Sequence, residues 1–177
     1  MTQLEQFIKD KKEESEKKSP KLDVIKRIAY FQKLVEDFYS KVEKDWLADV
    51  WNDIHHDYVQ LNITEEQLGT YTVQKLILSF GDEVISFNPI GTILLGASGR
   101  IDMKCGQNTV MCVYVGENIK RASDAIQIRF AGEKPPKRKG PGQPVWKFAS
   151  RMGKFELETI NKESFQRKFM EIVNGTY

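Results

Sequence analysis

The chain has 177 residues, a net charge of +2 and 29% charged residues. That length fits one ordinary domain with a core that needs no staples, and an aromatic content of 11% is out of keeping with a disordered chain. The near-balanced charge selects no class of partner by bulk electrostatics.

Two cysteines, Cys105 and Cys112, stand in apolar, β-like surroundings. They do not make a disulfide framework, and a reducing compartment is the simpler reading. Residues 1–15 are charged throughout and lack the apolar stretch of a signal peptide. The longest apolar runs, at 92–95 and 110–115, are far too short to cross a bilayer. The expectation is a cytoplasmic protein with no membrane contact.

Residues 1–18 mix both signs of charge with a weak apolar set of Leu4, Phe7 and Ile8, which suggests a partly ordered helix. Ser19-Pro20 is a helix start, with Ser as N-cap and Pro at the first turn, where its missing N–H costs nothing. Val24, Ile28, Phe31, Val35, Phe38, Val42 and Trp46 then recur at steps of three and four, which predicts one continuous amphipathic helix. The pattern carries on through Leu47, Val50 and Ile54, and no Gly or Pro interrupts 21–58. A helix of that length would run on the order of 50–55 Å. It would outreach a small domain, so either it breaks near 40–46 or part of its stripe meets a partner.

Thr64-Glu65-Glu66-Gln67 reads as a capping box closed by Gly69, which predicts a short helical turn. From Tyr71 the period changes to two. A strand through Phe80 and another at 83–87 flank a tight turn at Gly81-Asp82, and Asn88-Pro89 is expected to end the second strand. A strand at 92–95 and a turn at 96–99 follow. Segments 100–104 and 109–115 form a hairpin. With Gln107-Asn108 as its loop, Met103 faces Cys112 and Cys105 faces Val110, so no disulfide is expected. Ile101, Met103, Cys105, Val110, Cys112 and Tyr114 share one apolar face. Short strands are expected at 126–130, 145–148 and 155–160. A last helix is capped by Asn161, lined by Phe165, Phe169 and Ile172, and stopped at Asn174-Gly175.

The expected fold is α+β: a long N-terminal amphipathic helix, an antiparallel β-meander or partly closed barrel of six or seven strands, and a C-terminal helix. Residues 1–60 form the helical segment and 61–177 the sheet with its helix, together one folding unit.

No complete catalytic constellation is visible. Gly91-x4-Gly96-Ala97-Ser98 begins like a phosphate loop, but Ala97 stands where the Lys belongs and no helix follows. Ser98 lacks the final Gly of a nucleophile elbow, because Arg100 occupies that position. On a continuous helix Asp53, His56 and Asp57 would share a face, although a solvated acidic ridge accounts for them as well. No metal or cofactor is expected. Arg100 and Asp102 alternate with Ile101 and Met103, so they point together to the second sheet face with Met111, Val113 and Val115, a candidate partner or ligand surface.

The segment 133–147 holds five positive charges and one negative among four of the six prolines. Lys134, Lys137, Arg138, Lys139 and Lys147 could contact phosphates, with Trp146 and Phe148 as stacking surfaces. Two functions follow as expectations. The first is a non-enzymatic protein-binding or accessory protein, of the immunity type for instance, that engages a partner or a second copy through the helix stripe from Val24 to Trp46 and a sheet face. The alternative is a nucleic-acid-binding module built on the basic loop.

Overall fold

In a computed structural model the described residues are 2–17, 20–92, 97–121, 124, 140–149 and 156–176. Seven strands form one antiparallel sheet in which each pairs with the next: β1 (His55–Glu65), β2 (Gly69–Phe80), β3 (Glu83–Gly91), β4 (Arg100–Cys105), β5 (Asn108–Gly116), β6 (Pro144–Ala149) and β7 (Leu157–Thr159). Helix α1 (Gln3–Lys17) and helix α2 (Pro20–Lys41) precede the sheet, and α3 (Lys162–Asn174) follows it. The fold is α+β, and the sheet is an open meander.

Phe31, Leu34, Val35, Phe38 and Tyr39 of α2 are buried against the sheet in one apolar cluster with Phe165, Phe169 and Ile172 of α3. Phe38 lies at its centre, with ring centroids 4.9 Å from Trp146, 5.3 Å from Trp46 and 5.9 Å from Phe87. Trp46 stacks on Phe165 at 4.7 Å, and the Gln166 side chain donates to the Trp46 carbonyl at 2.9 Å. Fully burying one such side chain is worth about 1.5–3 kcal/mol, so this aromatic group holds both helices to one face of the sheet.

Helix α2 does not run to residue 58. It passes into a π turn at Val42–Trp46, closed by the Leu47 N–H on the Val42 carbonyl at 2.9 Å, and then into a 3-10 turn at Trp51–Asp53. Residues 55–58 belong to β1. Val42, Trp46, Leu47, Trp51 and Ile54 are buried, as a helical stripe would be, but they line a chain reversal. The widened turn swings Trp46 onto Phe165 and frees the chain to turn back along the sheet.

Two other local expectations are corrected. The segment 64–69 is a hairpin, with Glu65 paired to Gly69, the Leu68 N–H on the Glu65 carbonyl at 3.2 Å, and Gly69 at φ 75°. The Glu65 carboxylate caps no helix. It accepts from the Thr92 N–H at 3.0 Å and from the Tyr71 hydroxyl, tying the hairpin to the end of β3. Gly91 at φ 147° permits this approach, since a Cβ there would lie 2.8 Å from the carboxylate carbon. Strand β3 also continues past Asn88-Pro89. Pro89 pairs with Ile101, and a register shift before Gly91 accommodates its missing donor.

The Gly81-Asp82 turn is as expected, with Phe80 opposite Glu83. In the β4–β5 hairpin the loop is Gly106-Gln107, which sets Ile101 opposite Cys112, Met103 opposite Val110 and Cys105 opposite Asn108. Gly106, at φ 55°, supplies the left-handed backbone that starts this tight turn. The offset from the expected register is two residues, so every side chain keeps its face. Cys105 and Cys112 are unpaired, and burial raises the Cys112 thiol pKa. Helix α3 matches its expected cap: Asn161 Oδ1 accepts from the Ser164 N–H, and Ser164 Oγ from the Asn161 N–H, both at 2.9 Å. The expected Ser19 cap, the strand at 126–130, and residues 93–95 and 155 lie outside the described residues.

In β2 the buried set changes phase, from Tyr71 and Val73 to Leu76 and Leu78. Pairing with β3 begins only at Leu76. Before it, β1 and β2 form a two-stranded ribbon, and such ribbons twist strongly. Tyr71 thereby meets Phe31 edge-on at 6.4 Å. Where β2 and β3 part, the Tyr39 hydroxyl lies 2.8 Å from the Gln74 carbonyl and 3.1 Å from that of Phe87. Burial raises the Tyr39 pKa above its ordinary value. The fold therefore keeps a proton that the unfolded chain gives up above about pH 10, and the stability tied to Tyr39 is lost as pH rises beyond that point. Tyr39→Phe should cost about 1 kcal/mol at pH 7 and make stability fall less steeply above about pH 10, in urea titrations followed by tryptophan fluorescence. Equal alkaline slopes would contradict this.

Candidate protein-binding surface

Of the predicted helix stripe, Phe31, Val35, Phe38, Val42 and Trp46 are buried in the chain's own core, and Val24 and Ile28 are half-buried at its edge. The apolar surface that remains open lies elsewhere on the N-terminal helices. On α2, Leu22, Ile25 and Ala29 stand at i, i+3 and i+7 and are exposed, Ile25 at 62%. They widen the apolar arc beyond Val24 and Ile28. Tyr30 is exposed beside them, at a shallow depression of about 370 Å³ lined also by Lys26, Arg27, Thr92, Ala97 and Ser98.

On α1, Leu4, Phe7 and Ile8 share one face, and residues 2–12 are exposed throughout, Leu4 at 66%. Local contacts hold the start of this helix. The Thr2 hydroxyl accepts from the Glu5 N–H at 3.2 Å, the Glu5 carboxylate accepts from the Thr2 N–H at 2.6 Å, and Gln6 donates to Asp10 at 2.7 Å. The T-x-x-E spacing of Thr2 and Glu5 could have found that capping box from the sequence. A fifteen-residue helix is marginal in water on its own, so α1, exposed over residues 2–12, stands to gain from any surface that covers Leu4, Phe7 and Ile8.

On the second sheet face the candidate residues are buried or half-buried. Asp102 is buried and pairs with Arg100 through bonds of 2.6 and 2.8 Å, their side chains 6% and 21% exposed. Val115 is buried too, and Met111 and Val113 are half-buried. Part of Arg100 is what this pair leaves to a partner.

The basic segment divides in the same way. Lys134, Lys137, Arg138 and Lys139 lie outside the described residues. Lys147 is buried, and its ammonium donates to the Glu117 and Ile119 carbonyls, both at 2.7 Å. Its pKa is lowered by burial, against the pull of Glu117. Trp146 and Phe148 are buried as well, so neither offers a ring to a base. Against protein-family models, curated proteins and solved structures, the chain finds no match. Function therefore rests on the chemistry of the surface itself.

His55 and His56 lie on β1, where successive side chains point to opposite faces, so the helical grouping of Asp53, His56 and Asp57 does not form. His56 stacks on Trp51 at 4.6 Å, and His55 Nε2 lies 3.1 Å from Asp57 Oδ2. Among the described residues no group of three or more His, Cys, Asp or Glu is placed to hold a metal, and no helix is long and apolar enough to cross a membrane. Of the phosphate-like loop, Gly91 belongs to β3, and Ser98 donates its N–H to the Tyr114 carbonyl at 2.8 Å.

The Arg100–Asp102 pair is structural in its energetics. Removing one partner of a buried pair strands the other charge, which costs about 3–5 kcal/mol when burial is complete. Arg100→Ala should therefore lower stability by about 2–4 kcal/mol in chemical denaturation. A change below about 0.5 kcal/mol would mean that Asp102 is solvated.

Proposed function

We propose that this chain is a non-enzymatic accessory protein that binds another protein through the exposed apolar faces of α1 and of the first half of α2. The observation that carries this is that Leu4, Phe7 and Ile8 on α1 and Leu22, Ile25 and Tyr30 on α2 are all exposed. A helix with an apolar face docks into a groove through anchors at such spacings. Lys26 and Arg27 beside Ile25 suit a groove with an acidic rim. The free, buried Cys105 and Cys112 agree with a reducing, cytoplasmic setting. Nucleic-acid binding has less support, because Trp146, Phe148 and Lys147 are all committed to the fold.

The double variant Phe7→Asp, Ile25→Asp alters only exposed positions, so its unfolding free energy should stay within about 0.5 kcal/mol per site of the parent. In quantitative affinity capture against the unaltered chain, recovery of a specific partner should drop at least about tenfold, the equivalent of 1.4 kcal/mol. Recovery of the same proteins in the same amounts by both chains would refute the helix surface.

A further inference from the structure

The two edges of the sheet are built differently. At the far edge β7 is three residues long, the Leu157 N–H donates to the Lys120 carbonyl at 2.9 Å, and Arg121 bridges to Glu156. That edge is short and partly closed. The near edge is β1, eleven residues paired with β2 in unbroken register from His55 to Glu65. Among the described residues, no hydrogen bond reaches the outer backbone of 55–64. The strand contains no Lys, Arg or Pro and no bulge, the devices that usually blunt an exposed edge.

We propose that the outer edge of β1 pairs antiparallel with the β1 of a second copy of this chain, about a two-fold axis through Gln60. The pattern is self-complementary in that register. Val59 falls opposite the other copy's Leu61, Tyr58 opposite Asn62, and His55 opposite Glu65. Pairs opposite one another in an antiparallel ladder lie on the same face, so Val59 and Leu61 of both copies form a central apolar strip, flanked at each end by Ile63 of one copy opposite Asp57 of the other. Val59 is 45% exposed in the single chain and loses that exposure in the pair. Centring the pair on Leu61 instead sets Asp57 against Glu65, a like-charge contact that disfavours the register. Centring it on Val59 sets Asp57 against Leu61 and His55 against Ile63. The ladder satisfies backbone groups now left to water, and each copy contributes the same patch, as a two-fold interface requires. This surface is separate from the α1 and α2 face.

Size-exclusion chromatography with light scattering, over a wide range of concentrations of the full chain, should give a dimer. Val59→Lys changes an exposed residue and puts a charge opposite Leu61. It should weaken dimerisation at least tenfold while leaving the unfolding midpoint of the monomer unchanged. Phe7→Asp should leave the dimer intact. In the Gln60→Cys variant the two introduced thiols meet at the axis, where facing Cα atoms in such ladders lie about 4.5–5.5 Å apart, within disulfide reach. It should cross-link under mild oxidation much faster than His55→Cys, whose counterpart is Glu65. Three results would each overturn the proposal: a monomer at every concentration, a dimer lost with Phe7→Asp but kept with Val59→Lys, or equal cross-linking of the two cysteine variants.

Discussion

The architecture depends on the packing of Phe38. Its ring touches the sheet through Phe87 and Trp146, and the end of its own helix through Trp46, which in turn stacks on Phe165 of α3. Rings from the π turn, β3 and β6 converge on Phe38, and Phe165 of α3 joins them through Trp46. Such T-shaped and stacked contacts each add about 0.5–1.5 kcal/mol beyond simple burial. They also fix direction, because a ring held between three others has one orientation. The π turn at Val42–Trp46 belongs to this packing, since Trp46 at its end stacks on Phe165.

With α2 clamped there, its two halves have different roles. From Phe31 onward its apolar face is spent on the core, while towards its start Val24 and Ile28 are half-covered and Leu22 and Ile25 are open. Helix α1 continues that trend with no buried residue among 2–12. Apolar exposure therefore increases towards the start of the chain. Exposed apolar residues are normal singly; the proposed contact surface rests on their recurrence at helical spacing on both α1 and α2.

Much of the fold was legible because it is local. The Gly81-Asp82 turn, the paired faces of β4 and β5 and the capped, amphipathic α3 are each written in short patterns whose chemistry has one reading. The faces in β4 and β5 survived a wrong loop because an error of two residues leaves the alternation in phase. Strand β1 was the main loss. Val50 and Ile54 prolong the helical spacing, and no Gly or Pro marks the break, because the break is made by Trp46, Leu47 and Trp51 finding tertiary partners. The signal that could have found β1 was the alternation of Val59, Leu61 and Ile63 with Gln60, Asn62 and Thr64. Likewise the Thr64-to-Gln67 capping pattern was overridden by Glu65 binding Thr92 across the sheet. At the candidate surface the spacing from Val24 to Trp46 identified an apolar face correctly. Spacing does not say whether such a face turns to the core or to a partner, and the side chains left open lie one row round the helix.

The central claim is that the body from Phe31 onward is held by its own core, while the apolar side chains Leu4, Phe7 and Ile8 of α1 are exposed. Amide hydrogen exchange on the isolated chain tests it most directly. The account predicts that amides in 31–41 exchange only through global unfolding, while those in 5–15 exchange near the rate of a fraying peptide helix. Protection of 5–15 equal to that of 31–41 in a monomer would contradict it, because α1 would then already be packed.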